Sequence, residues 1–151
     1  MSDLRLRQAR FAELTPFEVY GLCRLRVDVF VVEQRCPYPE LDGRDTEPGT
    51  RHLWLADAAG PTAYLRLLVE PDGGHRIGRV CTRGDVRGRG LAAGLVADAV
   101  TLADAGPVDL DAQSHLQRWY ERLEFTVSGP EFVEDGIPHV PMRRPAHTVR
   151  A

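Results

Sequence analysis

The stretch Val80-Cys81-Thr82-Arg83-Gly84-Asp85-Val86-Arg87-Gly88-Arg89-Gly90-Leu91-Ala92 decides how the rest of the chain is read. It runs from a strand end through a glycine turn into a helix start. Such a turn points several main-chain N–H groups at one spot and adds the positive end of a helix. Its glycines let a ligand approach the backbone closely. The segment suits a phosphate or diphosphate. The charge pattern agrees: residues 76–90 hold five arginines against Asp85 alone, while the whole chain carries a net charge of −3. One short basic segment in an acidic chain fits a discrete anionic ligand. A nucleic-acid backbone would need a broad basic face.

Upstream of this stretch, Leu4-Arg5-Leu6-Arg7-Gln8-Ala9 alternates like an edge strand. Thr15-Pro16-Phe17-Glu18 reads as a helix start, with Thr15 as cap, Pro16 in the first turn and Glu18 completing a capping box. Val19, Leu22, Cys23, Arg26, Val29 and Phe30 follow at helical spacing. Arg35 to Thr50, rich in Pro, Gly and acids, reads as a long loop, a length that marks function or disorder. Segments 52–57, 62–69 and 76–82 form a three-strand meander around Ala59-Gly60-Pro61 and the turn Pro71-Asp72-Gly73-Gly74. Downstream, 91–100 reads as a helix stopped by Gly106-Pro107, 108–112 as a strand and 114–123 as an amphipathic helix. Strands near 125–133 and 138–143 close the chain. The order β-α-β-β-β-α-β-α-β-β implies an α/β fold with a mixed sheet and helices on its faces.

The 151 residues, 43% hydrophobic and 27% charged, form one domain, residues 1–151, with a core over about 5–144 and a short tail at 145–151. No apolar run approaches the roughly 18 residues of a membrane span, and Met1 to Arg10 shows no secretion signal. Cys23, Cys36 and Cys81 are odd in number and lack CxxC spacing, so free thiols in a reducing cytoplasm are expected. His52, His115 and His139 lack zinc-ligand spacing, so no metal is expected.

Three ligand readings compete for the glycine turn. A nucleotide triphosphatase loop needs GxxxxGK followed by Ser or Thr; all 19 basic residues here are arginine, so that reading fails. Gly88-Arg89-Gly90-Leu91-Ala92-Ala93 fits the dinucleotide pattern GxGxxA, with Asp109 or Asp111 about 20 residues on. Only 40 residues follow Asp111, too few for the further parallel strands of that fold. Third, Arg87-Gly88-Arg89-Gly90-Leu91-Ala92 resembles the coenzyme A loop of the GNAT superfamily of N-acetyltransferases: Arg or Gln, two residues, Gly, one residue, then Gly or Ala. A plain glycine turn with solvated arginines stands beside these.

The resemblance implies a mostly antiparallel sheet with one splayed parallel strand pair, the cofactor's pantetheine arm lying in the gap. It places Val80, Cys81, Thr82, Arg87, Gly88, Arg89, Gly90, Leu91, Ala92 and Gln113 against acetyl-CoA as co-substrate. It also implies that Tyr120 protonates the departing thiolate; reference pKa values of about 10 for tyrosine and about 8.5 for a thiol are compatible. Spacing alone makes Tyr120 part of an apolar helix face with Trp119 and Leu123. Glu124 stands where the family has glycine, and a left-handed conformation there would cost about 1 kcal/mol. Cys81, mid-strand and without a telling histidine, reads as core rather than nucleophile.

The block Arg26-Val27-Asp28-Val29-Phe30-Val31-Val32-Glu33-Gln34-Arg35-Cys36-Pro37-Tyr38, together with Asp42-Gly43-Arg44-Asp45, His52 and Glu134 through Met142, is similar to the ElaA-type branch of the superfamily. That resemblance spans roughly residues 10–143. The first block also resembles acyl-homoserine lactone synthases, which share the fold. The activity implied is direct acetyl transfer to a small-molecule or peptide amine in a ternary complex. A coenzyme A-binding module without turnover is the competing class. No nucleic acid or membrane partner is expected, and a homodimer is left open. Deprotonating an amine of pKa about 10.4 at pH 7 costs about 4.6 kcal/mol, so a base is required. Glu33 and then His139 are the first candidates, ahead of Asp42, Asp45, His52, Glu134 and Asp135. The acidic loops are also expected to attract a cationic amine.

Overall fold

Thr15 starts the first helix as its sequence predicts. Its hydroxyl accepts from the Glu18 amide at 3.1 Å, and the Glu18 carboxylate accepts from the Thr15 amide at 2.9 Å. The computed structural model describes residues 5–104 and 106–146; the chain start and most of the expected 145–151 tail lie outside them. Eleven regular elements follow in chain order: β1 (Arg5–Ala9), α1 (Pro16–Val27), β2 (Arg51–Asp57), β3 (Gly60–Val69), β4 (His75–Thr82), α2 (Leu91–Leu102), β5 (Val108–Gln113), α3 (Gln117–Glu121), β6 (Thr126–Val127), β7 (Phe132–Glu134) and β8 (Ile137–Arg144). The strands form one mixed sheet in the order β1-β2-β3-β4-β5-β8-β6, with β7 also paired to β8. Among the described strands only β4 and β5 run parallel.

The two faces of the sheet bury different chemistry. Leu65, Leu67, Ile77, Val108, Leu110 and Met142 meet Leu95, Val96 and Ala99 of α2 and Tyr120 of α3 on one face. On the other, Trp54, Tyr64 and Cys81 meet Leu22, Leu25 and Val29. Ile77 and Cys81 would share a face in a regular strand, since side chains alternate with period two. They do not, because β4 carries a bulge. Its register against β3 passes from Arg66–Gly78 to Tyr64–Cys81, so Arg79 and Val80 lie opposite Leu65 alone. Arg79 takes a left-handed conformation, φ 54°. A bulge bends its strand, and pairing between β4 and β5 is confined to His75–Val108 and Arg76–Asp109. Beyond those pairs the two strands part, as the splayed arrangement requires.

Two expectations need correction. The helix expected over 114–123 is a 3₁₀ turn at Ser114–Leu116 followed by a shorter α3, because Leu116 sits outside helical dihedrals (φ −101°, ψ 3°). The strand expected over 125–133 is split into β6 and β7. Pro130 has no N–H to pair, and Gly129 passes so close to β8 that an added Cβ would lie 3.0 Å from the Pro141 ring. The helical spacing of 19–30 continues past α1 into a π-helical turn at Asp28–Glu33, a geometry frequent at functional sites.

Candidate active site

A cavity of about 1000 Å³ opens where β4 and β5 part. One end is the glycine turn. Gly88 and Gly90 are left-handed, φ 79° and 74°, and no atom lies within 4 Å of a Cβ added to either. Gly90 caps α2 without a side-chain bond, and the first intrahelical bond there is Gly94 N–H to the Gly90 carbonyl at 3.2 Å. The Leu91, Ala92 and Ala93 amides thus begin a helix of twelve residues with no intrahelical partner, and all three residues line the cavity. An open backbone and unpartnered amides at a positive helix end fit an anionic diphosphate.

Val80, Cys81, Thr82 and Gln113 also line the cavity. The Thr82 carbonyl accepts from Arg87 Nε at 3.0 Å. Arg87 Nη2 donates to Glu33 Oε2 at 2.5 Å, and Nη1 donates to Glu33 Oε1. Those hydrogen bonds hold the Glu33 carboxyl below the usual carboxylate range, which makes it a poor proton acceptor. Glu33, the first candidate base, is thus the partner of Arg87 in this structure rather than a free carboxylate.

Tyr120 lines the cavity from α3 and is only 6% exposed. Its ring stands edge-on to Trp119 and Phe125, with centroids 4.8 and 6.1 Å away. Burial pushes its hydroxyl well above the ordinary tyrosine value, so it keeps its proton at neutral pH. The turn after α3 closes through Glu124 at φ 72°, with the Phe125 amide reaching back to the Tyr120 carbonyl at 3.2 Å. Glutamate thus occupies the left-handed position that glycine would adopt without strain. Burial likewise raises the Cys81 thiol, which is packed against α1; this suits core packing rather than a thiolate nucleophile.

His139 lines the cavity from β8, opposite Gln113 of β5. Its Nδ1 lies 2.7 Å from the Ile137 carbonyl. A carbonyl can only accept, so the proton sits on Nδ1 and the lone pair on Nε2. Its ring stacks on Phe132 at 5.7 Å.

The remaining base candidates are divided by an arginine–carboxylate network that the sequence reading missed. Arg26, 2% exposed, binds Glu40 at 2.8 Å and Asp45 at 2.8 Å; Arg66 binds Asp42 at 2.6 Å and Asp45 at 3.2 Å. Arg79, at the bulge, lies 2.9 Å from Glu40, and its guanidinium sits over the Tyr38 ring at 5.3 Å. Burial pushes Asp42 and Asp45 up, but the arginines outweigh it and both are held low. His52 is buried; its Nδ1 lies 2.7 Å from the Tyr64 hydroxyl and its Nε2 3.0 Å from the Asp45 carbonyl. These acids and His52 anchor the 35–50 loop to the sheet. The expectation that acidic loops draw in a cationic amine is corrected for Asp42 and Asp45, whose charge Arg26, Arg66 and Arg79 neutralise. Glu134 and Asp135 stay exposed at the cavity edge. The available signal was an arginine on an apolar helix stripe (Arg26) and another amid Leu65, Leu67 and Leu68 (Arg66): a buried guanidinium requires carboxylate partners. Among the described residues no group of His, Cys, Asp and Glu could hold a metal ion, and no helix is long and apolar enough to cross a membrane.

A family model described as an acetyltransferase (GNAT) domain matches residues 25–145. The chain belongs to the GNAT family. Within it the chain is ElaA-like: it is 37% identical to protein ElaA of Escherichia coli over 141 residues, covering 88% of this chain and 91% of that one. The ElaA crystal structure superposes with a TM-score of 0.85, at 33% identity over 93% of this chain and 99% of that chain. An acyl-CoA N-acyltransferase structure from Pseudomonas aeruginosa gives a TM-score of 0.88 at 42% identity, over 94% and 99%. A UPF0039 protein of Mycobacterium tuberculosis is 48% identical over 144 residues, 93% of this chain and 92% of that one. Membership and these neighbours support an acyltransferase role for this GNAT domain.

Proposed function

We propose that this GNAT domain transfers an acetyl group from acetyl-CoA directly to a primary amine, with both substrates bound at once, in a reducing cytoplasm. The observation that carries this reading is one continuous cavity lined by a main-chain anion cradle at Arg87–Ala93, by Tyr120 and by His139. The cofactor thioester supplies the activated acyl group. The glycine turn and the α2 amides hold the diphosphate. The β4 main chain past Arg76, with no β5 partner, offers N–H donors to the thioester carbonyl. His139 Nε2 takes the amine proton, and Tyr120, kept protonated by burial, returns one to the leaving sulfur. Three free cysteines fit that compartment. An amine panel assayed for thiol release with acetyl-CoA tests the reading. Acetyl-CoA binding with no amine stimulating thiol release would sink it and leave a coenzyme A-binding module. His139→Gln should lower kcat while sparing coenzyme A binding; unchanged turnover would exclude His139 as base.

A further inference from the structure

The end of the π-helical turn is tied to both sides of the strand gap. On the α2 side, Glu33 grips Arg87 through both carboxylate oxygens, and Arg87 is itself fastened to the Thr82 carbonyl at 3.0 Å. On the β5 side, Gln113 Nε2 donates to Gln34 Oε1 at 3.2 Å. Two adjacent residues of one helix end therefore span the mouth between β4 and β5. All four residues line the cavity.

The Glu33–Arg87 pair has the geometry of an occupied anion site. A guanidinium fork binds a carboxylate and a phosphate through the same two parallel N–H bonds, and Arg87 belongs to the turn whose backbone is open to an anion. The pair is also easily broken. Its side chains are 43% and 47% exposed, and exposed pairs contribute about 0–1 kcal/mol. A diphosphate carries more charge than one carboxylate and gains the α2 amides as well. The segment around Glu33 is free to shift, since Val32 is 65% exposed and only Val29 of that turn is buried.

We propose that Glu33 and Gln34 form a strap across the cofactor gap, and that the diphosphate of coenzyme A binds by displacing Glu33 from Arg87. This inference rests on the acyl-CoA reading above. It makes Glu33 a competitor for the diphosphate and a positioning residue for the gap.

The test is calorimetric binding of coenzyme A to the full chain as wild type, Glu33→Gln, Arg87→Gln and the double variant. Glu33→Gln should tighten binding roughly twofold to fivefold, the gain expected from releasing an exposed pair. The gain should vanish in the Arg87→Gln background, because the two residues are coupled. Unchanged or weaker binding by Glu33→Gln would overturn the strap. So would the same gain without Arg87, which would reduce the effect to the loss of one negative charge. A melting temperature of Glu33→Gln matching wild type excludes a folding artefact; a large drop would instead make the pair structural and overturn the proposal. Wild type that fails to bind coenzyme A would sink the acyl-CoA reading and the strap with it, whereas binding without the shift would sink the strap alone.

Discussion

The glycine turn at residues 87–90 and the 35–50 loop flank the same cavity and handle charge in opposite ways. The turn leaves its backbone amides unpaired and its glycines uncrowded, so its polar capacity is kept for a ligand. The loop spends its carboxylates on Arg26, Arg66 and Arg79, so its charges hold the protein together. A dense cluster of ionisable side chains is therefore the poorer guide to chemistry here. The binding end is the one whose main chain is left open.

The largest effect should come from breaking the loop side. Arg26→Met takes the central arginine from buried Glu40 and half-buried Asp45, leaving Glu40 only Arg79 and Asp45 only Arg66, at a cost of about 3 kcal/mol. The melting midpoint should fall on the order of 10 °C. A loss below about 1 kcal/mol in chemical unfolding would show the network to be peripheral and collapse the contrast. Next is the gap between the two regions. Tyr120→Phe should lower kcat about 100-fold while leaving coenzyme A affinity and stability near wild type; equal turnover would remove Tyr120 from the mechanism. The turn itself should respond in the reverse sense from Arg26. Gly90→Ala meets no atom but must hold φ 74°, a strain of about 1–2 kcal/mol. Relief of that strain would re-aim the α2 amides, so coenzyme A binding should weaken roughly tenfold with little change in melting. A melting loss as large as that of Arg26→Met would erase the distinction between the regions.

The same contrast explains what could be read from sequence. The glycine turn was legible because its cause is local: strand, glycines and helix start follow one another within 13 residues, and the open backbone is a property of those residues. The capping box at Thr15 was legible for the same reason. The network was not, because Arg26, Arg66 and Arg79 are far apart in sequence and their partners depend on register. The bulge was hidden as well. Arg79 adopts a left-handed conformation without being glycine, held there by Tyr38, Glu40 and Asp42 from the loop. The Glu33–Arg87 pair was hidden for the same reason, its members lying 54 residues apart.

The smallest predicted effect isolates one member of the loop network by pH. The Asp45 carbonyl can only accept, so His52 carries its proton on Nε2 and takes the Tyr64 hydroxyl proton at Nδ1. A second proton would break that bond, and burial, the larger cause, already holds the His52 pKa below its ordinary value. In the unfolded chain the group titrates near about 6.5. Below that pH the unfolded state binds a proton that the folded state refuses, so stability is whole above about pH 7 and declines as pH falls through 6.5. Asp42 and Asp45 act in the same direction but lower down: they are held below their unfolded value of about 3.9, so their contribution is lost only as pH falls through about 4 and beneath. The two windows do not overlap. His52→Gln should flatten the dependence of unfolding free energy between pH 5.5 and 7, by at most about 1.4 kcal/mol per pH unit, and leave the steeper fall below pH 4.5 untouched. A slope between pH 5.5 and 7 that survives the substitution would show that His52 does not carry it.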